Sequence, residues 1–245
     1  MTHSNDPDSA HPVADTDANP GSHRRSIRSF VLRAGRATAA QQRALEELWP
    51  KFGIPEQSGA LDFERIFARA APRMLEIGFG AGEALLSFAQ AHPDIDCIGI
   101  EVHRPGVGHL LLGVEGAGLT NVRVIDRDAV DVLSNQIPAA SITFVHIFFP
   151  DPWHKKRHHK RRLIQPPFVA LLARILAPGG VLRLATDWEH YALQMREVLD
   201  ATPEFENVAG TDGYVPRSSV RPLTRFERRG HRLGHGVWDL EYRRK

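Results

Sequence analysis

The sequence predicts an α/β protein built on a doubly wound, mostly parallel twisted sheet, with helices on both faces and an antiparallel edge strand. Three observations carry this reading. From residue 72 onward, short apolar runs of strand length alternate with longer helix-compatible segments, the pattern of successive βαβ units. A glycine-rich turn follows the first of those runs, where such sheets open to a ligand. The last apolar stretch, 238–242, alternates in the manner of an antiparallel strand packing at the sheet edge.

Each element has its own grounds. Residues 1–25 carry Asp6, Asp8, Asp15 and Asp17 among prolines and glycines, with no apolar run, and are expected to be a disordered acidic tail, neither signal peptide nor membrane span. Residues 26–60 are read as a basic and helical extension. There Ala40, Ala44, Leu45 and Leu48 recur at helical spacing after Thr38, a plausible N-cap, and the segment stops at Pro50. The domain proper is assigned to 61–245. Its strands are expected at 73–77, 96–102, 122–126, 142–149 and 180–186, with helices at 82–91, 105–117, 128–134, 165–176 and 188–201. Ala177-Pro178-Gly179-Gly180 separates the fourth of these helices from the fifth strand, because proline cannot continue a helix and glycine ends one. The single cysteine, Cys97, sits in an apolar run and reads as a small core hydrophobe, which suits a reducing cytoplasm.

The net charge of +2 averages the acidic tail against three basic blocks: Arg24, Arg25, Arg28, Arg33 and Arg36; residues 155–162; and residues 217–232. Clustering of that kind suggests a polyanionic partner.

The turn Gly78-Phe79-Gly80-Ala81-Gly82 lets a ligand approach backbone directly. Its spacing departs from the dinucleotide pattern, and Glu83 puts a carboxylate where a pyrophosphate would otherwise rest. Glu101, about 20 residues on, ends the second strand where a carboxylate can accept ribose hydroxyls. Glu76 on the first strand can accept from an ammonium group. Asp128 follows the third strand, where it can equally N-cap the next helix. Carboxylates at three strand ends around one crevice, with no basic phosphate clamp, favour a cationic, ribose-bearing, phosphate-free cofactor. S-adenosyl-L-methionine has that composition.

After the fourth strand comes Phe149-Pro150-Asp151-Pro152-Trp153-His154, then Lys155, Lys156, Arg157, His158, His159, Lys160, Arg161 and Arg162. Two prolines hold Asp151 at low entropic cost, and a flexible basic arm follows, suited to several phosphate contacts. Here the sequence closely resembles the bacterial tRNA (guanine-N7-)-methyltransferases, a family with the Rossmann-like class I methyltransferase fold. The resemblance runs through Arg28-Ser29-Phe30, Leu75 to Gly80, Gly99 to His103, the Pro-Asp-Pro-Trp segment, Ala185-Thr186-Asp187 and Thr224-Arg225-Phe226-Glu227, leaving out only the first 25 or so residues.

That resemblance implies methylation of N7 on a variable-loop guanine of tRNA, at tRNA position 46, with S-adenosyl-L-methionine as donor. It implies that Glu76, Gly78, Gly80, Glu101, Asp128 and Asp151 hold the cofactor, with Asp151 also the active-site residue. Lys155, Asp187, Thr224, Arg225, Phe226 and Glu227 would contact the substrate. Arg157, His158, His159, Lys160, Arg161 and Arg162 would meet the RNA. Arg225 stands where many relatives have Lys, which keeps the charge and changes the donor geometry. Asp187 can alternatively N-cap the helix after it. Phe149, Trp153 and Phe226 are candidate stacking surfaces, with core packing the commoner fate of Phe149.

Rival readings share only part of this pattern. A protein or small-molecule methyltransferase has no use for the basic loop, a non-catalytic RNA-binding protein has no need of the acidic set, and an NAD-dependent oxidoreductase calls for other glycine spacing. No catalytic metal is expected. The thirteen histidines of the chain include His154, His158 and His159 in a cationic loop without acidic or thiolate partners, and His231 and His235 among arginines. No membrane association is expected either, and the sequence does not distinguish a monomer from a homodimer.

Overall fold

A computed structural model describes residues 29–30, 35–211, 213–217, 221–223 and 236–245. The acidic tail, Arg24, Arg25, Arg28, Arg33 and the Thr224-Arg225-Phe226-Glu227 motif lie outside the described residues.

Strands β1 (Arg73–Ile77), β2 (Asp96–Ile100), β3 (Val122–Ile125), β4 (Ile142–Phe148) and β5 (Leu176–Thr186) are mutually parallel, and β6 (Phe205–Asn207) and β7 (Trp238–Arg244) complete a seven-stranded sheet. The spatial order is β3-β2-β1-β4-β5-β7-β6. Strand order therefore reverses between β1 and β4, the place where such sheets leave a crevice beyond the strand ends. All five parallel strands fall where the apolar runs place them, within a few residues.

Two expectations need correction. The sheet has the expected antiparallel edge, but β7 lies one place in from it: it pairs with β5 on one side and with β6 on the other. Leu240 and Tyr242 lie on one face and are fully buried in the core, so their alternation shows a buried face and does not tell an inner strand from an edge strand. The edge is the three-residue β6, whose Phe-Glu-Asn is too short to show a period. The fifth strand also begins earlier than 180, because Leu176 already pairs with Ile142 before the Pro178-Gly179 turn interrupts the register.

Along each strand side chains alternate between two cores, as pleating requires. Met74, Cys97, Val122 and Val124 face one layer with α4 (Glu83–Ala91) and α5 (Arg104–Gly116). Leu75, Ile77, Ile98, Val145 and Leu184 face the other with α6 (Ala129–Asn135), α7 (Pro166–Ile175) and α8 (Glu189–Asp200). Cys97 is a fully buried core residue as expected, and burial pushes its thiol above the ordinary range.

The N-terminal extension joins the first layer. Helix α1 (Ala39–Glu47) starts at Thr38 in a reciprocal capping box: Thr38 Oγ1 accepts from Gln41 N at 3.2 Å, and Gln41 Oε1 accepts from Thr38 N at 2.8 Å. Pro50 ends that helix by opening another, α2 (Trp49–Phe52), where a proline in the first turn costs no hydrogen bond. A five-residue helix, α3 (Phe63–Phe67), leads to β1.

Helix α5 ties the extension to the glycine turn. A Cβ at Gly108 would come within 2.7 Å of the Gln41 carbonyl oxygen of α1, and one at Gly106 would overlap the Gly80 carbonyl oxygen. Gly116, at the far end of α5, has nothing within 4 Å of its missing Cβ. Gly106→Ala is therefore expected to destabilise the protein by about 1–3 kcal/mol through overpacking, whereas Gly116→Ala should gain about 0.5–1 kcal/mol from helix propensity. Urea unfolding of the two variants checks this; equal effects would contradict the close approach of α5 to the turn.

Candidate active site

Chain leaving β1 must reverse within a few residues to enter α4, and it does so with positive φ at Gly78 (+73°), Gly80 (+59°) and Gly82 (+80°). Beyond Gly78 and Gly80 nothing lies within 4 Å of where a Cβ would sit, so the turn presents bare backbone to open space. Gly78 N donates to Ile100 O at 2.8 Å, which holds the turn against β2.

Two cavities meet at this turn and share Gly78 and Phe149. The larger, of about 640 Å3, is lined by Glu76, Gly80, Glu83, His109 and Arg221. The smaller, of about 210 Å3, is lined by Ile100, Glu101, Arg127, Asp128 and Asp151. The structure thus brings together the whole acidic set Glu76, Glu101, Asp128 and Asp151 around one crevice.

Their states differ. Glu101, half-buried at the end of β2, is tied down by three backbone donors: Gly80 N at 2.8 Å, Val102 N at 2.8 Å and His103 N at 2.9 Å. These occupy three of its roughly four acceptor positions, so the carboxylate is held in one orientation. Asp128 does cap the helix after it, Oδ1 accepting from Val130 N at 2.9 Å. Both readings of Asp128 are compatible, since it also lines the smaller cavity. Glu76 is the outlier. It is 3% exposed, and its Oε2 has no hydrogen-bond partner among the described residues. Burial, reinforced by the neighbouring charge of Glu101, pushes its pKa up to about 8.

The segment after β4 is held in an uncommon conformation. Phe149 and Trp153, which bracket Pro150-Asp151-Pro152, have φ of +52° and +48°. For bulky residues that region costs about 1–3 kcal/mol each, a cost met by surrounding contacts. Phe149 N donates to Ala185 O at 2.7 Å, and the Arg221 guanidinium lies 5.0 Å from the Phe149 ring. Trp153 Nε1 donates to Ser29 O at 3.1 Å, and Arg161 sits over the indole at 5.0 Å. Each of these rings therefore already has a guanidinium against it. Asp151, between them, is exposed.

The basic run that follows is not a flexible arm. Lys156–Arg161 form a 3-10 turn. Lys155, Lys156, Arg157, Lys160 and Arg161 are exposed, while His158 and His159 are half-buried. Burial and the adjacent cations lower both imidazoles below their ordinary value, so lysine and arginine carry the charge. Arg162 departs from the expectation that it meets RNA. It is 2% exposed and turned inward, because its guanidinium lies over the Tyr191 ring and donates to protein acceptors.

Asp187, half-buried, follows β5, and the N-cap position of α8 is Trp188, which makes no side-chain cap bond. The capping role considered for Asp187 is thus not the one it plays. Trp188 packs edge-on against His154 at 4.3 Å, joining the basic loop to this turn.

Two arginines that line the cavities escaped the sequence reading of the site. Arg221 is fully buried and pairs with Asp239 through Nη2 at 2.9 and 3.1 Å. Arg127 stands between Asp126 and Asp128. The signal for the first was present in Asp239, a carboxylate inside an apolar strand that demands a buried partner. Arg221 is matched by Asp239, whereas Nε and Nη2 of Arg127 are buried with no hydrogen-bond partner among the described residues. Among the described residues no group of three His, Cys, Asp or Glu side chains converges as metal ligands would, and no helix is long and apolar enough to cross a membrane.

Residues 70–240 match a family model described as "Putative methyltransferase". The tRNA (guanine-N(7)-)-methyltransferase of Thiobacillus denitrificans is 60% identical over 225 residues, covering 92% of this chain and 98% of that protein. The protein of the same name from Alcanivorax borkumensis is 55% identical over 231 residues, covering 94% and 97%. Among solved structures, the 16S rRNA methyltransferase KamB superposes with a TM-score of 0.56 at 16% identity, covering 78% of this chain and 95% of that one. The aminoglycoside resistance methyltransferase NpmB1 gives 0.54 at the same identity and coverage. Those two likenesses concern the fold.

Glu76 makes stability depend on pH in a definite direction. The folded carboxyl keeps its proton up to about 8, whereas the ordinary value is 4.5. Between those values the unfolded chain binds fewer protons, so this group's contribution falls as pH rises through that window. Glu76→Gln, which cannot ionise, is expected to melt on the order of 5 °C above the parent at pH 8.5, with the difference vanishing toward pH 5. Melting curves of the ligand-free proteins across pH check this; a gap independent of pH would contradict the buried neutral carboxyl.

Proposed function

The chain belongs to the tRNA (guanine-N(7)-)-methyltransferases, and we propose that the crevice at the β1/β4 switch is where its methyl transfer takes place. The protein is an S-adenosyl-L-methionine-dependent enzyme that methylates N7 of guanine in tRNA. The nucleotide we assign is the variable-loop guanine at tRNA position 46, and a cytoplasmic location accords with a tRNA substrate. The observation that carries the site assignment is the joining of two features at Asp151: an acidic crevice with an unpartnered buried carboxylate, and an exposed cationic turn at its mouth.

The residues fit the donor. Glu76 offers an ammonium group the buried acceptor it lacks, and Gly78 and Gly80 leave room for close backbone approach. Glu101 has one acceptor position left for a ribose hydroxyl, and Asp128 stands beside it on the smaller cavity. When bound, S-adenosyl-L-methionine supplies an electrophilic methyl on a sulfonium.

Guanine N7 carries an exposed lone pair, so the nucleophile needs no deprotonation and catalysis rests on alignment. Asp151 orients the base by accepting from its N1–H and amino group, rather than acting as a general base. Asp187 assists from the end of β5, with Lys155 and, by family correspondence, Thr224, Arg225, Phe226 and Glu227. Arg157, Lys160 and Arg161 meet phosphates, with His158 and His159 between them as mostly neutral hydrogen-bonding groups.

Incubation with labelled S-adenosyl-L-methionine and unmodified tRNA, followed by nucleoside analysis, is expected to give 7-methylguanosine. Asp151→Ala should lower kcat on the order of a hundredfold, with the affinity for tRNA little changed. Cofactor binding without methyl entering tRNA would overturn the substrate; full activity in the variant would overturn the role of Asp151.

A further inference from the structure

Asp151 is exposed and sits on a loop, yet the role assigned to it demands a fixed position to within a fraction of an ångström. Two prolines restrict its neighbours' φ angles but do not set where the loop as a whole rests. The tether is found one residue on. Arg162 Nε donates to the Pro152 carbonyl oxygen at 2.8 Å, from a side chain that is 2% exposed.

That guanidinium is itself held from several sides. Nη1 donates to Gln194 Oε1 at 2.6 Å and lies 3.2 Å from His190 Nδ1, both on α8, and the group stacks 4.7 Å from the Tyr191 ring. The same helix secures the chain beyond Arg162: the Tyr191 hydroxyl accepts from Ile164 N at 3.1 Å, and Gln194 Nε2 donates to Ile164 O at 3.2 Å. Residues 152–164 are thus stapled to α8 at both ends, with the exposed cations of the 3-10 turn between the staples.

Stability does not explain this arrangement. Among the described residues no carboxylate accepts from Arg162, and its Nη2 has no partner. An apolar residue of similar size would fill the seat on Tyr191 without burying a charge. What an apolar residue cannot do is hold the Pro152 carbonyl while spanning to α8. Arginine's planar fork does both.

We propose that Arg162 is a positioning residue for methyl transfer, fixing Asp151 at the crevice through the Pro152 carbonyl, and that it takes no part in holding RNA. This rests on the reading of Asp151 as the orienting residue.

The test compares Arg162→Lys and Arg162→Met with the parent, alone and combined with Asp151→Ala, at saturating S-adenosyl-L-methionine and tRNA. Either change should lower kcat on the order of 10- to 100-fold, with Lys, which still reaches one acceptor, retaining more than Met. The KM for S-adenosyl-L-methionine and the Kd for tRNA should stay within about twofold, and the slope of log Kd against log salt should not change. In the Asp151→Ala background the further loss should be under about twofold, because the two residues act through one contact.

An unchanged kcat, or a loss that simply adds to that of Asp151→Ala, overturns the inference. So does a salt slope reduced by about one unit, which would make Arg162 a phosphate contact. If neither Arg162 variant folds, Gln194→Met keeps the arginine and removes one acceptor, and should lower kcat several-fold with the same non-additivity; no loss there overturns the inference. Failure of the parent enzyme to methylate tRNA would instead sink the underlying reading, and the two outcomes are told apart by that control.

Discussion

Burying a carboxylate without a partner is among the more costly things a fold can do, and β1 places Glu76 in that situation at the reversal of strand order. The surrounding parts are arranged around this one acidic position. The glycine turn that follows strips side chains from the approach to it. Glu101, braced by three backbone donors, adds a fixed negative charge that makes ionisation of Glu76 harder still until a cation arrives. On the function proposed above, such a site suits a ligand bearing an ammonium group.

RNA binding calls for the opposite sign of charge, and the protein keeps the two apart by a short rigid element. Pro150-Asp151-Pro152, with left-handed residues on both sides, marks the boundary between the acidic crevice and the cationic 3-10 turn. Guanidinium groups stabilise this boundary from within: Arg221 from the β7 side, matched by Asp239, and Arg162 from α8. Arginines of the basic blocks therefore divide into those that face solvent and those that build the loop. Arg161 does something of both, exposed yet stacked over Trp153.

Much of this was legible in the sequence, for identifiable reasons. Strands buried on both faces write themselves as apolar runs, so β1 to β4 fall close to their expected places. Thr38 announces its helix because N-capping is a local interaction. Glu76, Glu101, Asp128 and Asp151 stand at strand ends, where a parallel sheet gathers residues distant in sequence. What could not be read depends on long-range partners. The inward turn of Arg162 is decided by Tyr191 and Gln194, about thirty residues away, and nothing in a run of basic residues distinguishes it from Arg161. The inner position of β7 depends on β6, whose three residues carry no period. Burial of Arg221 follows from Asp239, and a carboxylate within a strand was the one clue to it.

The central claim is that a neutral buried carboxyl becomes charged when the cofactor's ammonium group arrives beside it. Titration calorimetry of S-adenosyl-L-methionine binding at pH 7, repeated in buffers of different ionisation enthalpy, counts the protons exchanged. Release approaching one proton per site is expected for the parent protein, and none for Glu76→Gln, since the amide has no proton to give over this range. Binding without proton release in the parent would mean that Glu76 is already ionised, or remains neutral, and would contradict the claim.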